Sequence, residues 1–294
     1  MCSSSKIGDT LLIGHRGFGA GKVGIFKENT VSAIEAAYSL GFRFVEFDVQ
    51  ITHDGHPVLY HDWCVSETGM PTTVPSLELK RICSLRSSQV VTHSIEWHGF
   101  FEKTNVIDEP IPTLLQVLKS LPKNLGFNIE IKHPMEEEIA EIEKEMNCFI
   151  KWRNCAEAVQ CILDVVLKEI GTREVIFSSF NHNICRLVKE KASSQKVFLI
   201  TSSSDESRNQ FDTDFILNFK LDGIVCESSI LKHTSLIEKI KNHKLMLFTY
   251  GSEKNDLRWI EKQIEMGIDG IIIDDLIKVS RHFNLNLRAS LLSP

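Results

Sequence analysis

Short, continuously apolar runs rich in β-branched and aromatic residues alternate with amphipathic stretches along nearly all of this 294-residue chain. That alternation restricts the fold more than any other feature. The runs begin at Leu11, Phe44, Phe127, Val175, Val197, Gly223, Leu245 and Gly270. A run that is apolar on both faces suits a strand covered on both sides, as in a parallel sheet packed against helices. Helical patterns fall between the runs, among them Asn29–Leu40, closed by Gly41, and Thr113–Ser120, Ile184–Lys191, Leu236–Asn242 and Leu257–Met266. Eight strand–helix units in roughly 250 residues is the pattern of a (β/α)8 barrel. A doubly wound open sheet shares the alternation, but the barrel is the expectation, as a single domain over residues 1–294 with its core at about 11–276.

Two segments stand outside the rhythm. Pro57–Asp62 follows a His53-Asp54-Gly55 turn and reads as a hairpin return or tight β–β connection to the second run. Residues 63 to about 110 show no clear periodicity and read as an insertion loop at one end of the fold, with a short helix around Leu77–Leu85. Glu136–Ile170 holds one or two helices.

With 43% hydrophobic and 24% charged residues, the chain can bury a large core, which argues against disorder. The balance of 33 Lys+Arg against 39 Asp+Glu gives a net charge of −6, without the basic footprint of a nucleic-acid binder. No apolar run approaches the roughly 18–20 residues that span a bilayer. The opening MCSSSKIGDTLLIGHRG has no signal-peptide apolar stretch, so the expected location is cytoplasmic. Eight cysteines are scattered without a CxxC pair or zinc spacing and read as reduced thiols, with lipidation of Cys2 as the minor alternative.

Functional residues of such a barrel sit at the carboxyl ends of its strands. The first run leads into Gly14-His15-Arg16-Gly17, the second contains Glu46 and Asp48, PVLY ends in His61-Asp62, and a further run contains Glu130 and Lys132. Residues two apart on a strand share a face, so Glu46 and Asp48 project together while Val45, Phe47 and Val49 face the helices. Glu130 and Lys132 repeat that geometry. Carboxylates crowded inside a barrel must share a proton, pair with cations or bind a metal. One reading is an internal salt-bridge network with Arg16 and Lys132. Three acids against two bases leave a negative excess, and all-oxygen donors favour one divalent cation, Mg2+ or Ca2+, over zinc.

His15 and His61 are the candidate acid and base, because imidazole exchanges a proton near neutral pH. Arg16 and Lys132 bring positive charge suited to a phosphate anion. The Gly-rich stretch Gly14–Gly24 lacks the GxxxxGK[ST] spacing and reads as a mobile loop over the site mouth. Ser178 and Ser179 lack a GxSxG context, so a serine nucleophile has no support. His53 and His56 flank a turn and are expected to face solvent.

Together His15-Arg16-Gly17, Glu28-Asn29-Thr30, Glu46-Phe47-Asp48, His61-Asp62, Glu130-Ile131-Lys132 and Ser178-Ser179-Phe180 resemble the glycerophosphodiester phosphodiesterase family over roughly Leu11 to Leu276. The resemblance implies a TIM barrel and metal-dependent cleavage of a small glycerophosphodiester to sn-glycerol 3-phosphate and an alcohol. It further implies a metal at Glu46, Asp48 and Glu130, His15 and His61 as the acid–base pair, and phosphate contacts from Arg16 and Lys132. The run Phe248-Thr249-Tyr250-Gly251, followed by Asn255-Asp256, departs from the commoner Trp-Thr-Val-Asn and resembles eukaryotic cytosolic glycerophosphocholine phosphodiesterases. There the Tyr250 ring is placed either against a choline cation or simply as a cap on the barrel. Members of that branch often carry an amino-terminal regulatory domain, and only ten residues precede the first run here. A phospholipase-D-like enzyme acting on a lipid headgroup and a non-catalytic phosphodiester-binding barrel are the other readings. The exact headgroup, the choice of cation, the order of the histidines, the attacking oxygen and the oligomeric state stay open at this level.

Overall fold

The structure, a computed structural model, describes residues 6–19, 26–66, 72–85, 91–92, 109–146, 150–202, 213–232, 234–251 and 256–285. Eight parallel strands form its centre: β1 (Thr10–Gly14), β2 (Phe44–Ile51), β3 (Gly126–Ile131), β4 (Val175–Ser179), β5 (Lys196–Thr201), β6 (Gly223–Glu227), β7 (Met246–Tyr250) and β8 (Gly270–Ile273). Each pairs with the next, and β8 pairs with β1 from Gly270–Leu11 to Ile273–Gly14. The ring is closed, which decides for the barrel over the open sheet. All eight strands expected from the sequence are present, with starts within one residue of the expected positions.

A helix follows each strand: α1 (Val31–Ser39), α2 (Leu114–Ser120), α3 (Cys155–Glu169), α4 (His182–Lys191), α5 (Thr213–Asn218), α6 (Thr234–Asn242), α7 (Leu257–Glu265) and α8 (Leu276–His282). An additional helix, Glu136–Met146, precedes α3. Side-chain caps set several starts. Thr30 accepts from the Ala33 amide at α1, Asn154 from Glu157 at α3 and Asp275 from Lys278 at α8, while Thr113 and Gln116 form a reciprocal box at α2. Because strand side chains alternate, the core has two layers. Val45, Phe47, Val49, Phe127 and Ile129 pack outward against the helices. Leu11, Ile13, Phe44, Ile176, Phe198, Val225, Phe248 and Ile272 fill the interior, where the Phe198 and Phe248 rings meet edge to face at 4.8 Å. That plug closes the barrel floor, so polar side chains gather at the opposite, carboxyl-terminal end.

Two antiparallel additions flank the ring: Lys6–Ile7 on β1, and Pro57–Leu59 on β2 through Val49–Leu59 and Ile51–Pro57. The segment after residue 63 carries the expected short helix, at Leu79–Ile82, but departs from an irregular loop in also holding a small antiparallel sheet of Cys64–Ser66, Thr72–Thr73 and Val91–Thr92. Val58, Tyr60, Val65, Val74, Ile82, Leu85 and Ile111 form its separate apolar cluster. Strands of two or three residues are too short to show a period of two, which is why the sequence pattern missed them. Cys2, residues 20–24 of the Gly-rich stretch and Asn255 lie outside the described residues. No described helix is long and apolar enough to cross a membrane.

Candidate active site

Glu46, Asp48 and Glu130 come together at the top of β2 and β3, with one oxygen of each within 4.8 Å of the others. Strand register causes this: Asp48 lies directly beside Glu130, and Glu46 is two residues back on the same inward face. Glu46 and Asp48 are 3% and 1% exposed, so their charges have almost no water to share. Burial, then the charges of Asp48 and Glu130, push the Glu46 carboxyl well above its ordinary range. Burial also raises Glu130, with Lys132 pulling against it. For Asp48 burial acts in the same direction, but His61, Arg16 and Lys132 together outweigh it and hold the carboxyl below the usual carboxylate range.

Cationic side chains pair with only part of this cluster. Arg16 Nε is 3.5 Å from Asp48 Oδ2, and Lys132 Nζ is 3.5 Å from Glu130 Oε1. Glu46 Oε2 accepts the Arg16 backbone N–H at 2.9 Å, whereas Glu46 Oε1 is buried without a hydrogen-bond donor among the described residues. A salt-bridge network alone therefore leaves one carboxylate oxygen stranded. Three hard oxygen donors around one point, one of them orphaned, fit a divalent cation of the Mg2+ or Ca2+ type.

Both candidate histidines rest on a carboxylate. His15 follows β1, and its Nδ1 lies 2.6 Å from Asp274 Oδ1 at the end of β8. Its Nε2 is 3.8 Å from Glu46 Oε2, on the side of the acid cluster. His61 Nδ1 lies 2.7 Å from Asp62 Oδ1. A carboxylate accepts only, so each Nδ1 is the donor and proton exchange is directed to Nε2. The carbonyl oxygens of Tyr60, His61 and Asp62 are all gathered by the side-chain amide of Gln50, at 3.0, 3.3 and 2.7 Å. Gln50 shares the inward face of Glu46 and Asp48, and that shared parity is the sequence signal by which it was detectable.

The turn after β1 is built from left-handed backbone. Arg16 has φ 48° and Gly17 φ 85°, which aim the Arg16 N–H at Glu46. A side chain at Gly17 would meet the Ala33 and Ile34 backbone of α1 at 3.0 Å, so glycine is required twice over. Asn29, also left-handed at φ 58°, donates from Nδ2 to Asp48 Oδ2 at 2.9 Å and accepts the Asp48 N–H at 3.1 Å. This reciprocal clamp explains the Glu28-Asn29-Thr30 motif in physical terms. Glu28 accepts from Arg16 at 2.9 Å, so the guanidinium is shared between Glu28 and Asp48 rather than openly presented.

Lys132 lies with its ammonium 5.1 Å from the centre of the Trp63 ring, and Trp63 meets Trp152 edge to face at 5.6 Å. Trp63 belongs to the insertion, where no periodicity pointed to it. Tyr250 ends β7 across the barrel and donates its hydroxyl to the Thr201 carbonyl at 3.0 Å, so the ring is fixed over the interior cluster. In the ring of eight, β7 lies opposite β3, the strand that carries Glu130. Ser178 donates to Asn128 and Ser179 to the Ile131 carbonyl; both are buried structural links. His53 and His56 are exposed, as expected.

Comparison with known proteins places the chain by family and fold. The family model described as the glycerophosphoryl diester phosphodiesterase family matches residues 15–278. A glycerophosphocholine phosphodiesterase of Schizosaccharomyces pombe is 30% identical over 96% of this chain and 29% of its own length. A glycerophosphodiester phosphodiesterase of Arabidopsis thaliana is 32% identical, covering 90% of this chain and 74% of its own. The chain spans under a third of the length of the fungal relatives it matches. The fold is similar to that of an Oleispira antarctica phosphodiesterase solved with its product sn-glycerol-3-phosphate, with a TM-score of 0.71 at 21% identity over 93% and 96% of the two chains.

Proposed function

Because the chain belongs to the glycerophosphoryl diester phosphodiesterase family, we propose that it cleaves small glycerophosphodiesters, glycerophosphocholine among them, to sn-glycerol 3-phosphate and an alcohol. The observation that carries this reading is the acid cluster with its stranded Glu46 oxygen, flanked by two carboxylate-backed histidines. A divalent cation, Mg2+ or Ca2+, held by Glu46, Asp48 and Glu130 would polarise the phosphoryl group and neutralise its charge.

The remaining chemistry belongs to the side chains. One histidine takes the proton from the attacking oxygen, of water or of the neighbouring glycerol hydroxyl, as the new P–O bond forms. The other gives a proton to the departing alkoxide as the ester P–O bond breaks. Asp274 and Asp62 stabilise whichever ring is protonated. Lys132, steered by Trp63, offsets charge on the phosphoryl oxygens, and Arg16 fixes the acid cluster from below while adding to the local positive field. The domain spans the whole chain in this reading, and the place of work is the cytoplasm.

The test is release of glycerol 3-phosphate from glycerophosphocholine. His15→Ala and His61→Ala should each lower kcat by about 10²-fold or more while leaving the melting temperature close to that of the parent. Near-parental turnover in either variant removes that histidine from the acid–base pair. Full activity in excess EDTA removes the cation.

A further inference from the structure

The mouth of the barrel is chemically divided. His15, Glu46, Asp48, Glu130, Lys132 and Asp274 all lie at the ends of β8, β1, β2 and β3. The inward positions at the ends of β4, β5, β6 and β7 are Phe180, Ser202, Glu227 and Tyr250, and none of these is cationic. Their assignment to the inward face follows from alternation. On β6, Ile224 and Cys226 pack among the helices while Val225 lies in the interior cluster, so Glu227 shares the face of Val225. Phe180 and Tyr250 pack on that same cluster.

Glu227 stands beside Tyr250 in strand register and is half-buried. Among these four inward strand-end positions it is the single acid, set with two aromatic rings and the Ser202 hydroxyl. In a ring of eight, β6 lies directly opposite β2, so Glu227 faces Glu46 and Asp48 across an interior only a few side chains wide. A small diester whose phosphorus sits over the acid cluster would extend one of its arms toward Glu227. A half-buried carboxylate beside an aromatic ring suits an organic cation, because ring faces and a nearby negative charge both attract positive charge.

We propose that Glu227, with Tyr250 and Phe180, forms the subsite for a cationic leaving alcohol, a quaternary ammonium alcohol such as choline. Glu227 is then a specificity-determining residue. The proposal rests on the phosphodiesterase reading above and adds to it which end of the substrate lies on which side of the barrel.

The experiment compares glycerophosphocholine with glycerophosphoglycerol, whose leaving alcohol is neutral, as substrates of the parent chain and of Glu227→Gln. The ratio of their kcat/KM values should fall about tenfold in the variant, and Glu227→Asp should recover part of it. Free choline should inhibit the parent competitively, and its neutral isostere, with carbon in place of nitrogen, should inhibit about tenfold more weakly; this measurement needs no variant to fold. An unchanged substrate ratio, an equal loss on both substrates, or equal inhibition by choline and its isostere overturns the subsite. A parent chain that releases glycerol 3-phosphate from neither substrate with Mg2+ or Ca2+ overturns the phosphodiesterase reading instead, and the two failures are thereby distinct.

Discussion

His15 and Asp274, 259 positions apart in sequence, meet through a 2.6 Å contact between Nδ1 and Oδ1 across the seam where the last barrel strand joins the first. The contact fixes the tautomer of His15 and turns its other nitrogen toward Glu46. Asp274→Asn, which preserves shape but removes the charge, should lower kcat by roughly 10–100-fold. KM should change little. A steady-state comparison on glycerophosphocholine checks this, and unchanged kcat would show that the pairing is structural only.

Gln50 holds the loop that carries His61, through donor contacts to three consecutive carbonyl oxygens. The position calls for a hydrogen-bond donor. Gln50→Met keeps the length of the side chain and strands those carbonyls, at a cost of about 1–3 kcal/mol in stability. Turnover should fall tenfold or more, and the loss should vanish when the same change is made in a His61→Ala background. A double-mutant cycle measures this. Additive losses would mean that Gln50 does not act through His61.

The elevated carboxyls of Glu46 and Glu130 give the fold a pH signature. Stabilisation from a neutral carboxyl is full below its ordinary value of 4.5 and is lost as pH rises through the elevated folded value. A bound cation requires the ionised forms, so its binding should release protons and tighten as pH rises through that window. The rise in melting temperature produced by added Mg2+ or Ca2+ should therefore be larger at pH 7.5 than at pH 5 (an interval of about 2.5 units above the ordinary carboxylate range). Thermal scans with and without EDTA provide the check, and a cation effect independent of pH would contradict it.

The thiols sort by burial. Cys185 and Cys226 are buried, and burial pushes both up to about 12, so neither offers thiolate at neutral pH. Cys155 is only half-buried, at the start of α3. Alkylation of the native protein with iodoacetamide, followed by peptide mass spectrometry, should label Cys155 well before Cys185 or Cys226. Equal rates would indicate that the barrel wall opens on the time scale of labelling.

The barrel was legible because strands buried on both faces write themselves as uninterrupted apolar runs, and eight of them with intervening helices leave few architectures. The acid cluster was legible for a related reason: Glu46, Asp48 and Glu130 interrupt runs that otherwise tolerate no charge. Asp274 was not, since its importance depends on β8 lying against β1, a fact of closure that no local pattern contains. Trp63 escaped notice because it belongs to an insertion of two- and three-residue strands, and its role arises only from the position of Lys132. The charge of Arg16 suits a phosphate, but Glu28 competes for its guanidinium through a contact that charge alone does not disclose.

The seam between β1 and β8 also has a temporal meaning. A ribosome delivers His15 259 positions ahead of Asp274, so the earlier residue waits for almost the whole barrel before its partner exists. Nascent barrels lacking β8 would hold nearly all of the reactive groups in an unsealed cylinder until that strand docks.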